Sequence, residues 1–186
     1  MNGKVSRNFC NIAIVGPASS GKTTLLESLL FVSGAIKRKG NIKQGNTVGD
    51  NLPEARDRAM TVEINTAYTT IDDLQLTFLD CPGAIEFAQE TQNALVGVDA
   101  AIVVCEPTVE RVLTLAPILK FLDDWEIPHF IFFNKMDRAN HSFTEILTAI
   151  KAVSPRPLLP QQYPLYQGQT LLGFIDLITE QAYQYH

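Results

Sequence analysis

The sequence has little that would tie it to a membrane, a disulfide frame or a nucleic acid. No apolar stretch among its 186 residues is long enough to span a bilayer. The chain reaches a strand-like run, Cys10 to Val15, without a signal-peptide pattern. Cysteine is scarce: Cys10, Cys81 and Cys105 are odd in number, widely spaced and without partnering histidines. That excludes a disulfide frame or a metal site built on them and fits reduced thiols. Positive charge is in deficit. A net charge of -5 argues against a general nucleic-acid clamp or direct sequence-specific DNA binding. The basic run Lys37-Arg38-Lys39 is short enough to be solvated surface. Internal repeats and low-complexity tracts are missing too. A soluble, cytoplasmic protein is expected, and with 46% hydrophobic residues it can form one domain with a sizeable core.

What is present alternates between short apolar runs and helix-period segments, the pattern of an α/β protein on a mostly parallel sheet with helices on both faces. The runs are Cys10–Val15, Leu74–Leu79, Ala100–Cys105 and Phe130–Phe133. Val62–Ile71 alternates apolar and polar residues, and Asp72-Asp73 can turn it back on Leu74–Leu79 as an antiparallel edge strand. Helices are expected through Leu25 to Leu30 with a stop near Gly34, and over about Glu86 to Val96. A third is expected through Val109 to Leu119, and a fourth from Ser142 with Phe143, Ile146, Leu147 and Ile150 inward. Residues 37–61 form a long polar connection, which a compact domain rarely carries without a functional reason. After Val153 four prolines, Pro155, Pro157, Pro160 and Pro164, precede strand-like Phe174–Ile178 and Tyr183–Tyr185. The expected division is a core over 1–153 and an appended substructure over 154–186.

Three motifs carry chemistry. Gly16 to Thr23, GPASSGKT, fits G-x-x-x-x-G-K-[ST] and stands between a strand and an amphipathic helix. Gly16 and Gly21 let backbone N–H groups wrap a phosphate, and the helix start adds partial positive charge. The expected nucleotide-binding run is Gly16, Pro17, Ala18, Ser19, Ser20, Gly21, Lys22, Thr23 and Thr24, with Lys22 on the β- and γ-phosphates and the Thr23 hydroxyl on Mg²⁺. Asp80 ends a strand expected beside Cys10–Val15, so its carboxylate points to the same Mg²⁺, directly or through a water. Gly83 of the Asp80-Cys81-Pro82-Gly83 turn can offer its N–H to the γ-phosphate. Asn134-Lys135-Met136-Asp137 closes the Phe130–Phe133 strand. There Asp137 can accept from guanine N1–H and the exocyclic amine, Lys135 can lie over the ring, and Asn134 can tie the loop to the phosphate loop. Adenine would leave that carboxylate unpaired, so GTP and GDP are the expected ligands. Thr61 ends the 37–61 connection, where a hydroxyl can reach Mg²⁺ and γ-phosphate with GTP and let go with GDP. An ordinary β-favouring threonine at a strand start is the plainer reading of the same residue.

These residues resemble translational GTPases, most closely elongation factor G and its paralogues. Phe31–Asp50 is similar to that family's approach to switch I, RAMTVE to its effector threonine segment, and NKMDR to its guanine loop. The proline-rich turn with GFIDLITEQAYQY resembles the start of the insertion within its G domain. The resemblance covers the chain from about Asn8 onward and implies a GTP-driven factor acting on the ribosome with Mg²⁺. Three departures stand out. Ser19 occupies a position where the family's phosphate loop usually has aspartate, so a cation-binding carboxylate is missing there. Ala84 stands where the family has the histidine that positions the attacking water, and a methyl group cannot orient water. Glu86, two residues on, is the nearest remaining carboxylate and otherwise reads as a first-turn acid favoured by the helix dipole. No segment resembles the family's fifth guanine motif, so a monomeric fragment lacking the last strand is expected. Lys22, Thr61 and Gly83 are then the expected catalytic contributors. The implied activity is ribosome-stimulated GTP hydrolysis. A GTP-dependent binding switch and a regulatory GTPase away from translation stand beside it.

Overall fold

A computed structural model describes residues 8–48, 64–83 and 88–185. Five strands form the main sheet: β1 Phe9–Val15, β2 Asn65–Ile71, β3 Leu74–Asp80, β4 Ala100–Cys105 and β5 His129–Phe133, in the order β2-β3-β1-β4-β5. All neighbours are parallel except β2, which pairs antiparallel with β3 at the edge. The hairpin joining these two turns through Asp72 and Asp73, both at positive φ (47° and 64°). Two consecutive left-handed residues match the twist of the flanking strands, which is why a two-residue Asp-Asp loop works here.

The central strands are apolar because both of their faces are covered. On one face Ala13, Val15, Ala101 and Val103 pack with Leu95, Leu119, Leu122, Ile146 and Ile150. On the other, Ile14, Phe78 and Val104 pack with Leu26 and Leu30. Helices α1 Lys22–Val32, α2 Ala88–Leu95, α3 Val109–Leu113, α4 Ala116–Asp124 and α5 Phe143–Val153 supply those two layers. The capping box expected at Ser142 is formed, with the Ser142 hydroxyl accepting from Glu145 N–H and the Glu145 carboxylate accepting in return.

Three local expectations change. The helix anticipated from Val109 to Leu119 is two helices, because Pro117 at the start of α4 has no N–H to return to Leu113. Phe143 does not join the main core; it meets Tyr163 edge to face at 5.1 Å between centroids. The prolines after Val153 conceal a strand. β6 Gln162–Gln167, β7 Thr170–Asp176 and β8 Gln181–Gln184 form a separate antiparallel sheet. Pro164 is tolerated because β6 is an edge strand. Ile178 lies in the following turn, where its N–H donates to Asp176.

Leu119 is wholly inaccessible in the larger core. Leu119→Ala should lower the unfolding free energy by about 2–5 kcal/mol, read as a reduced urea midpoint with the slope unchanged.

Candidate nucleotide-binding site

The three motifs converge because β1, β3 and β5 run parallel and end on one edge of the sheet. β1 gives way to Gly16, whose φ of 138° is in the left-handed half of the map, and a Cβ there would strike the Val104 carbonyl of β4. Only glycine lets the chain leave the sheet so close to its neighbour. The loop then passes Ser19, also left-handed (φ 64°), and enters α1 through Gly21. Among the described residues no side chain caps α1, and its first turn holds no acidic residue to offset the positive end of the helix dipole.

Asp80 is the last residue of β3 and lies beside Ile14 in the parallel ladder. Its carboxylate is completely buried, with Oδ2 accepting from the Thr23 hydroxyl at 2.6 Å. Oδ1 has no partner among the described residues, and neither does the buried Ser20 hydroxyl. Burial pushes the Asp80 carboxyl up to about 6, against the opposing pull of the Thr23 bond and the Lys22 ammonium. Burial likewise lowers Lys22, while Asp80 and Cys81 act the other way. Lys22 Nζ folds back to donate to the carbonyls of Gly16 (3.0 Å) and Pro17 (3.1 Å).

Gly83 closes over the Pro17–Lys22 side of this loop. A Cβ on it would run into Lys22 Nζ and lie 2.7 Å from the Ala18 nitrogen, so a side chain there would fill the cradle. Thr91 of α2 fixes this turn by donating to the Pro82 carbonyl at 3.2 Å, in a buried position. Beside the same residues opens a cavity of about 650 Å³, lined by Gly16, Pro17, Gly83, Leu95, Arg111 and Phe121 among others.

The Asn134–Asp137 loop reaches the phosphate loop from the other side. Asn134 Nδ2 donates to the Ser20 carbonyl at 2.9 Å, and Lys135 Nζ donates to the Ser19 carbonyl at 2.8 Å and to Glu106. Lys135 sits at φ 59° and opens a short 3₁₀ turn, Met136–Arg138. The Asp137 carboxylate is exposed, 3.7 Å from Arg138 Nε. The structure therefore brings together Gly16 to Thr24, Asp80, Gly83, Asn134, Lys135 and Asp137. Thr61, Ala84 and Glu86 lie outside the described residues.

The donor set suits a magnesium nucleotide: an orphaned buried carboxylate oxygen and a hydroxyl for a hard cation, with N–H groups and a lysine for phosphate. Two supports escaped the sequence reading. Glu27, buried on α1, accepts from the N–H of Gly40 and of Val48, both at 2.6 Å, and pins the 34–48 segment to the helix. Its signal is an acid between the inward Leu26 and Leu30. Glu106, paired with Lys135 and 3.7 Å from Arg111, carried no such pattern.

A buried carboxyl raised to about 6 holds its proton more tightly folded than unfolded. Its contribution to stability is therefore largest at low pH and is lost as pH rises from about 4 through 6. Without Mg²⁺ or nucleotide, Asp80→Asn should flatten that part of the pH–stability profile. It should raise stability at pH 7.5 by roughly 1–3 kcal/mol. Thermal unfolding at pH 4.5 and 7.5 reads both arms.

Residues 7–182 match the family model for the elongation factor Tu GTP binding domain. The chain is 63% identical over 186 residues to an elongation factor G-like protein of Synechocystis sp., an overlap of 100% of this chain and 28% of that protein. It is 31% identical over 174 residues to the mitochondrial ribosome-releasing factor 2 of Drosophila melanogaster, covering 94% of this chain and 24% of the relative. A solved structure from Thermus thermophilus superposes with a TM-score of 0.81 at 33% identity, over 95% of this chain and 26% of that one. The chain thus spans about a quarter of the length of these relatives. With a match running over nearly all of its residues, the chain belongs to the elongation factor Tu GTP binding domain family and is a translational GTPase G domain.

Proposed function

We propose that this domain binds GTP and GDP with Mg²⁺ and couples GTP hydrolysis to the action of an elongation factor G-like protein on the ribosome. The observation that carries the reading is the Thr23–Asp80 pair, with the buried Asp80 Oδ1 unpartnered among the described residues and Lys22 Nζ lying against Gly83. The Thr23 hydroxyl and the Asp80 carboxylate would hold the cation. Mg²⁺, when bound, neutralises charge on the β- and γ-phosphates. Lys22 exchanges its two loop carbonyls for phosphate oxygens, and the N–H groups of Gly16 to Thr24 surround them. Gly83 offers its N–H at the γ-phosphate, with Thr61 as the second hydroxyl on the cation side. At the base, Asp137 accepts from guanine N1–H and the amine, Lys135 covers the ring, and Asn134 couples base loop to phosphate loop.

A second reading, a GTP-dependent ribosome-binding switch with little hydrolysis, is favoured by one residue. Ala84 offers nothing to orient water where the family it resembles has histidine, and Glu86, two residues on, is the nearest carboxylate in sequence. Losing a water-positioning group costs about 10²–10⁴ in rate.

The test is GTP turnover by the full-length protein with and without ribosomes, beside Ala84→His. Slow but ribosome-stimulated turnover is expected, rising about 10²-fold in Ala84→His. GTP-dependent ribosome binding with no turnover would overturn the hydrolysis reading in favour of the switch. If ATP displaces GDP as well as GTP does, the assignment of Asp137 fails.

A further inference from the structure

The base loop is held unevenly. Its first half is fastened to the phosphate loop through Asn134 and Lys135. Its second half, which carries Asp137, is a single 3₁₀ turn closed by Arg138 N–H on Lys135 O (2.9 Å) and Ala139 N–H on Met136 O (3.3 Å). The second bond is long for an N–H···O contact. A shorter one reaches the same carbonyl from outside the main sheet: the Tyr166 hydroxyl donates to Met136 O at 2.9 Å.

That carbonyl belongs to the peptide linking Met136 to Asp137. Fixing its plane fixes the Asp137 Cα, and with φ of Asp137 held by the 3₁₀ turn the direction of its Cα–Cβ bond follows. Tyr166 gets there through an irregularity. The β6–β7 register shifts between Leu165 and Tyr166, and a shift of this kind re-aims the side chain that follows it. Tyr163, on the same strand, packs edge to face on Phe143 of α5. The small sheet is thereby anchored beside the loop. Burial raises the Tyr166 hydroxyl above its ordinary range, and the negative charge of Asp137 raises it further. The Asp137 carboxylate itself is exposed and not in contact with the phenol as a bonded partner; its described ionic neighbour is Arg138 at 3.7 Å.

We propose that Tyr166, in the appended three-stranded sheet, is a positioning residue for guanine recognition: its bond to the Met136 carbonyl orients Asp137 toward the base. This rests on the reading of Asp137 as the group that accepts from guanine. It gives the appended sheet a part in nucleotide discrimination, which the phosphate loop alone does not require.

The experiment compares native full-length protein with Tyr166→Phe, which removes the hydroxyl and keeps the ring. Fluorescent GDP is displaced by GDP, IDP or ADP, and its release is timed by stopped flow. Hypoxanthine keeps N1–H but lacks the exocyclic amine, so IDP reports on one of the two hydrogen bonds. Tyr166→Phe should speed GDP release about threefold to tenfold, the range for one such hydrogen bond. It should also shrink the preference for GDP over IDP. Unchanged release, or equal losses for GDP and IDP, would overturn the proposal, the latter showing a merely structural tyrosine. Asp137→Asn keeps the underlying reading separate. If that variant still prefers GDP over ADP as the native protein does, Asp137 is not the reader, and the proposal falls with it.

Discussion

A charge-bearing carboxylate with no exposure to water sits at the end of β3, and much of the domain is arranged about it. Asp80 satisfies one oxygen with Thr23, and among the described residues the other has no partner, with Lys22 near enough to be felt. In a core this dry, ionising such a group is costly unless a cation is supplied. Without a cation the domain therefore carries a local instability at the point where a metal nucleotide would relieve it. Binding that brings in positive charge is then also folding free energy, because a ligand that binds only the folded state stabilises it.

The scaffold makes this arrangement possible through strand order rather than through any one side chain. Parallel pairing of β1 with β3 sets Ile14 against Asp80, and pairing of β1 with β4 sets Val103 against Val15. The carboxylate therefore arrives within reach of the first turn of α1. Backbone has to come closer here than side chains allow. Gly16 against the Val104 carbonyl, Gly21 against the Asn134 amide and Gly83 against the phosphate loop are places at this site where a methyl group would collide. The two non-glycine residues at left-handed φ that flank the site, Ser19 and Lys135, are joined to each other by the Lys135 bond to the Ser19 carbonyl. Strained backbone of this sort persists when its neighbours over-determine it.

Most of the sheet could be read from period and turn chemistry: the four apolar runs match parallel strands to within a residue or so, and Asp72-Asp73 makes the hairpin. The Gly16–Thr23, Asp80–Gly83 and Asn134–Asp137 motifs could be read too, because each residue type is required by backbone geometry or by charge. What escaped the sequence was one local breaker and several contacts between distant partners. Pro117 breaks a helix that its apolar spacing would have continued. β6 is hidden because proline is a poor strand residue except on an edge, and nothing local says that Pro164 is on one. Glu27, Glu106 and Tyr166 are ordinary polar residues in sequence, separated from the groups they hold by 13 or more positions.

Those three residues also show how the two ends of the site differ. The end formed by Gly16–Thr23 and Gly83 is built chiefly from backbone N–H groups, close-packed glycines and one helix start, all of them consequences of the strand–loop–helix path. Little freedom remains there for variation without losing the fold. The Asn134–Asp137 end is held by side-chain bonds: Glu106 to Lys135, Asn134 and Lys135 to carbonyls of the phosphate loop, and Tyr166 of the appended sheet to Met136. Such contacts are individually worth about 0.5–1.5 kcal/mol and can be exchanged one at a time. Phosphate binding should thus be the rigid property of this domain, and the grip on the base the adjustable one.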